Sequence, residues 1–210
     1  QGQDNRVRRA IWFALRNYKE NEEVSTFLQE TIDKDKKYYS VSDAFRSLAI
    51  VDSSAAKKKV DNLLHRDSHT DVIRKAAISY YGTVINDENY KKLKKLSVYG
   101  GTTWDARPEA INQLGKYAKN KPETIGLFIE FLRDNTRSVR RNAVRQIGRY
   151  GGKKHLDALD ELLADDPILE RDIRSAKKRI LNPSNKLKNN QEKEIEELTK
   201  KLENIRKLVN

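Results

Sequence analysis

Six stretches of the chain repeat one arrangement of apolar positions. Each has an apolar residue, a small one three or four positions on, and another apolar one seven or eight on. That spacing marks one face of an α-helix. The opening residues Val7, Val41, Val72, Ala106, Val139 and Ile173 are spaced 34, 31, 34, 33 and 34 apart. Residues 105–117 and 138–150 align without gaps at a distance of 33. Ala110 and Ala143, Gln113 and Gln146, Leu114 and Ile147, Gly115 and Gly148, and Tyr117 and Tyr150 then fall in register. Residues 72–82 and 7–18 carry the same pattern, with Tyr18 where Tyr150 falls, and 41–48 and 173–180 are weaker copies. The recurring small residue, seen at Ala44, Ala76, Ala110 and Ala143, lets a neighbouring helix approach closely.

Between copies lies a second amphipathic stretch, as in Val60, Leu63 and Leu64 or Leu156, Leu159 and Leu162. Turns carrying Asp71, Asp105, Asn135 or Asp165 and Asp166 precede the signature helices, and these residue types are suited to accept from free first-turn amides. Gly151 and Gly152 close a repeat where a left-handed cap favours glycine. Helix pairs of about 33 residues cannot bury their own faces, so they stack on their neighbours. The pattern predicts an all-α fold, a right-handed α-α superhelix of about six short repeats over residues 1–181. Pro183 ends the last repeat, and the polar run 182–192 reads as a linker. Over 193–210, Ile195, Leu198, Leu202, Ile205 and Val209 recur at intervals of 3, 4, 3 and 4, a short coiled-coil seam suited to self-association or to folding back on the solenoid.

Composition narrows the function classes. Charged residues make up 35% of the chain and hydrophobic ones 37%, with a formal charge of +12. Such a surface suits an acidic protein, anionic lipid or nucleic acid, or serves solubility alone. The lysines are interleaved with Asp and Glu, which favours the solubility reading. The longest apolar run, residues 10–15, is far short of the ~20 residues that span a bilayer, so no membrane association is expected. A polar start from Gln1 and the absence of cysteine favour a cytoplasmic chain without disulfides or thiolate metal sites. Opening on Gln1 rather than methionine also predicts a longer natural chain or a processed start.

Catalytic chemistry is hard to find. His65 and His69 are four apart, as in a zinc-binding HExxH helix, but Arg66 stands where the glutamate belongs. They read as turn histidines, and His155 as a surface residue without a partner. No GxSxG context supports a nucleophile, and neither Gly100–Gly101 nor Gly151–Gly152 continues into a phosphate loop. No catalytic residue, metal ligand or cofactor is expected in this chain. Arginines are more informative: Arg8, Arg9, Arg74, Arg140, Arg141, Arg145, Arg149 and Arg174 recur in the signature helices. They make either a structural ladder to the turn aspartates of adjacent repeats or a basic stripe for phosphates or acidic protein. Trp12 and Trp104 read as packing residues.

The signature of Asp, Val-Arg, Ala and Leu-Gly resembles the HEAT repeat. The early Trp and late Pro of the tetratricopeptide repeat and the Thr-Pro-Leu-His of ankyrin are missing. Across nearly the whole chain, residues 4–18, 38–49, 71–82, 105–117, 135–150, 166–180 and 192–208 also resemble the C-terminal helical region of prokaryotic aminopeptidase N-type zinc peptidases. That resemblance implies a non-catalytic domain that shields a catalytic cleft, braces domains of the same parent chain or supports dimerisation. Zinc would sit in the parent's catalytic domain, since that family's zinc helix and Gly-x-Met-Glu-Asn motif are absent here. The alternatives are a free-standing HEAT scaffold for an acidic protein and, behind it, a solenoid that binds nucleic acid.

Overall fold

The computed structural model describes residues 2–182 and 199, without the side chains of 2–6 and 8. Among the described residues eleven α-helices follow one another: α1 (Gly2–Leu15), α2 (Glu22–Lys34), α3 (Tyr38–Val51), α4 (Ser53–His65), α5 (Val72–Tyr81), α6 (Asp87–Ser97), α7 (Arg107–Leu114), α8 (Thr124–Phe131), α9 (Arg137–Tyr150), α10 (Leu156–Asp165) and α11 (Glu170–Leu181). No strand occurs among the described residues. The all-α class and the helix-pair repeat are therefore as expected. The chain divides into two compact units, Gln1–Ala143 and Val144–Asn210, with the boundary inside α9.

In the first unit the odd-numbered helices are the signature copies, and they stack directly: α1 on α3, α3 on α5 and α5 on α7. The second helices fill the other layer. Helix α2 packs on α3, α4 on α3 and α5, and α6 on α5 and α7. The small residues sit where the layers meet, with Ala44, Ala76 and Ala110 at most 1% exposed. Around them Val41, Phe45, Leu48, Ile73, Ile78, Ile111 and Leu114 are also buried. Tyrosine hydroxyls bridge successive repeats: Tyr117 donates to the Tyr81 carbonyl at 2.6 Å, and Tyr90 meets Thr124 Oγ1 at 3.0 Å. The first copy departs from the rule, because α1 packs on the stack from one side only. Its Val7 and Ala10 are exposed, whereas Trp12 is buried and stacks on Phe27 at 5.6 Å.

In the second unit α10 packs on α11, and Leu159, Leu162, Leu169, Ile173, Ala176 and Ile180 are buried. Gly148 of α9 lies against the backbone of Ala176 in α11. A signature glycine thus meets the small residue of the following signature helix.

Helix starts differ from expectation. Side-chain caps occur on the second helices, where Asn21, Asp52 and Asn86 accept from the amides of Val24, Ala55 and Asn89 at 2.9, 2.9 and 2.8 Å. Caps of this kind contribute about 1 kcal/mol each. The Ala55 amide and then the Ser25 hydroxyl hold the Asp52 carboxyl below its ordinary pKa. Asp71 and Asp105 do not cap. Asp71 adopts a left-handed backbone (φ 54) and accepts from Arg74 and from the Thr103 hydroxyl of the next repeat. Asp105 pairs with Lys75 at 3.1 Å. With a cation or a second-repeat hydroxyl in reach, these carboxylates tie structure together instead of capping a first turn. The left-handed glycine is Gly100 (φ 76), whereas Gly152 is extended at φ −134. Trp104 is 71% exposed and does not pack. His155 is not without a partner, since its Nδ1 accepts from the Gly152 amide at 3.0 Å. The expected linker beyond Asn182 and the seam Ile195, Leu198, Leu202, Ile205 and Val209 lie outside the described residues.

Candidate functional site

The eight predicted arginines do not converge on one site. The side chain of Arg8 lies outside the described part. Arg9 of α1 reaches Asp43 of α3 at 3.1 Å, tying two successive signature helices. Arg74 is nearly buried and ties the end of α4 to the turn before α5, donating to the Leu64 carbonyl at 2.7 Å and pairing with Asp67 and Asp71. Arg140 donates to the Asp134 carbonyl, within the turn before α9. Arg141 and Arg149 sit on α9, half-buried and exposed respectively. In the second unit Arg145 pairs with Asp172 at 3.0 Å, and Arg174 with Glu170 one turn back.

The strongest tie involves an arginine outside the predicted set. Arg107 opens α7 at 2% exposure, spans Asp134 with two contacts at 2.6 and 3.3 Å, and donates to the Ser97 carbonyl at 3.1 Å. Such bidentate, charge-assisted contacts fix geometry as well as adding energy.

A different set of basic residues shares one concavity. A cavity of ~610 Å³ crosses three signature helices and is lined by Arg9 and Phe13 from α1, Arg16 just past its end, Tyr39, Asp43 and Arg46 from α3, and Lys75 from α5. Four cations thus face one carboxylate. Arg9 pairs with the carboxylate at 3.1 Å without a hydrogen bond to that buried oxygen, and Lys75 pairs with Asp105 at 3.1 Å. The Arg16 Nε donates to Ser47 Oγ at 3.1 Å, and that hydroxyl donates to the Trp12 carbonyl at 2.7 Å. Its guanidinium lies 4.8 Å from the centre of the Phe13 ring, a cation–π distance. Burial lowers the Arg16 pKa, against an upward pull from Asp43, and the charge of Arg46 lowers it further. Lys116 is lowered in the same way, by burial first, with Glu109 opposing and Arg46 adding to the effect. Arg46 therefore sits among like charges. It is half-buried and makes no hydrogen bond or ion pair among the described residues.

Repeat alignment does not reveal this cluster. Arg16 lies nine positions past its opening valine and Arg46 five past its own. They meet only because their copies stack. A basic residue at the wet edge of a signature helix was the only available signal, and many positions share it.

A second concavity of ~500 Å³ lies between α1 and α2, lined chiefly by Ile11, Trp12 and Phe27 with Glu30 and Lys34 at its edge. No group of three or more His, Asp or Glu side chains is placed to hold a metal ion among the described residues. No helix among them is long and apolar enough to cross a membrane.

Residues 94–177 match the family described as HEAT repeats. With the all-helical architecture, the match supports a HEAT-repeat type, a kind of repeat that usually mediates protein interactions. No curated protein and no solved structure matches the chain.

Proposed function

We propose that this chain is a non-catalytic interaction scaffold that takes an acidic segment of a partner protein in the groove across α1, α3 and α5. The observation that carries the reading is Arg46, a half-buried cation beside other cations and without a partner of its own among the described residues. Holding like charges together in a partly dry groove costs free energy, and an incoming carboxylate offsets it. Apolar side chains at the rim, Phe13 and Tyr39, add area that a peptide can cover.

Calorimetric titration of the full chain with poly-glutamate tests this. Saturable binding that weakens from low to physiological salt is expected, with poly-lysine inert. Absent binding to poly-glutamate at low salt contradicts it. Tighter binding of a DNA duplex than of poly-glutamate would move the assignment to nucleic acid, whose phosphate-led affinity falls steeply with salt.

The finer reading, an accessory domain of a zinc aminopeptidase, is supported by the sequence resemblance alone. It predicts an HExxH helix upstream in the same coding sequence. An upstream sequence without one refutes it, and leaves the scaffold reading untouched.

A further inference from the structure

Four cations line the groove, but they are not equivalent. Arg9 and Lys75 spend their charge on Asp43 and Asp105, at 3.1 Å each. Arg16 is held by Ser47 and lies over Phe13. Among the described residues only Arg46 of the four keeps its guanidinium free of an acceptor, with five donors in a fixed planar fork. That fork matches a carboxylate in a bidentate fashion. Beside it stand two aromatic side chains that the core does not need: Phe13 is 67% exposed and Tyr39 60%. Both line the same cavity. One charge site next to one apolar platform is a two-part recognition surface.

Resting on the scaffold reading, we infer that Arg46 anchors a single carboxylate of an acidic peptide, and that the residue next to that carboxylate is aromatic and packs against Phe13 and Tyr39. The charge count favours this occupant over a polyanion. A nucleic-acid strand needs a run of unneutralised cations to track its phosphates. Here Asp43 stands in the cavity and two of the four cations are already paired. An aromatic beside the carboxylate also explains why Phe13 and Tyr39 flank the charge, since Arg-rich, aromatic-lined patches are where interface energy concentrates.

The test is a nitrogen–proton NMR titration of the full chain, following the arginine Nε–Hε signals. The probe is acetyl-Glu-Phe-Glu-amide. Its controls are acetyl-Gln-Phe-Gln-amide, acetyl-Glu-Ala-Glu-amide, sodium phosphate and a twelve-nucleotide single-stranded DNA. Saturable shifts of the Arg46 and Arg16 signals by the first probe are expected, with at least tenfold weaker binding of the Gln and Ala peptides. Phosphate and DNA are expected to bind more weakly at this site. Arg46→Gln should weaken the acidic peptide at least tenfold, while Arg174→Gln on α11 leaves it unchanged. Equal binding of the Gln peptide, unchanged affinity in Arg46→Gln, or tighter binding of DNA at the same signals overturns the inference. Should Arg46→Gln fail to fold, the wild-type shifts alone decide. Acidic-peptide binding that moves other signals and spares Arg46 defeats the anchor but keeps the scaffold. No binding of any acidic probe defeats both.

Discussion

Replacing Asp134 with alanine is expected to destabilise the first unit by about 3–5 kcal/mol, because it leaves the Arg107 charge buried and unpaired. Arg107 is 2% exposed, and its contacts at 2.6 and 3.3 Å to Asp134 are its charge partners among the described residues. The Ser97 carbonyl at 3.1 Å holds one donor but carries no full charge. Asp134 also accepts from the Thr136 amide at 2.8 Å, so its loss loosens the turn before α9 as well. Chemical denaturation followed by circular dichroism reads the effect. The double replacement Arg107→Leu with Asp134→Leu should recover much of the loss, because an apolar pair carries no desolvation penalty. Equal stability of Asp134→Ala and the wild type would mean that the pair is not buried as described.

The same pair sets a pH dependence. Burial pushes the Asp134 carboxyl up, but hydrogen bonds from the Arg107 guanidinium and the Thr136 amide outweigh it, so the net pKa is lowered. A carboxyl lowered in the folded state contributes stability above its unfolded pKa of ~3.9 and loses it as pH falls through the folded value. Wild-type stability should therefore decline below about pH 4, and more steeply than that of the double leucine variant.

The second large effect is steric. A Cβ added at Gly148 would lie 2.7 Å from both the Cα and the Cβ of Ala176. Neither atom can rotate away, since one is backbone and the other is fixed to it. Gly148→Val is therefore expected to cost about 3 kcal/mol, at the upper end of ordinary overpacking. Its denaturation midpoint against the wild type checks this. Gly126 gives the opposite sign on the same assay. It lies inside α8 with nothing within 4 Å of an added Cβ, so Gly126→Ala should stabilise by about 0.5–1 kcal/mol. A Gly148→Val variant as stable as the wild type would mean that α9 and α11 do not approach closely.

The signature helices were legible in the sequence because burial repeats in it. Ala44, Ala76 and Ala110 are buried where the spacing puts them, and so are the openers Val41, Ala106, Val139 and Ile173, whereas Val72 is half-buried with Ile73 beside it in the core. Polar residues were less legible, since a carboxylate in a turn has several partners within reach of its chain position. Asp71 and Asp105 have the chemistry of caps but meet a cation or a hydroxyl instead. Arg107 stands 33 positions before Arg140, at the same place in its copy, but that position alone does not show that its side chain is buried. The groove was invisible for a geometric reason. Arg16 and Arg46 occupy different positions in their copies, and only stacking α1 on α3 brings their charges together. Trp104 was misjudged because composition does not distinguish a helix face from the turn that holds it, and it lies exposed between α6 and α7.

Hydrogen exchange of the full chain, with and without saturating poly-glutamate, tests the central claim most directly. Binding in the groove predicts slowed exchange in α1, α3 and the start of α5, around residues 9–16, 39–46 and 72–75, with α10 and α11 unchanged. Protection spread evenly over the basic surface, or confined to α9–α11, would contradict it.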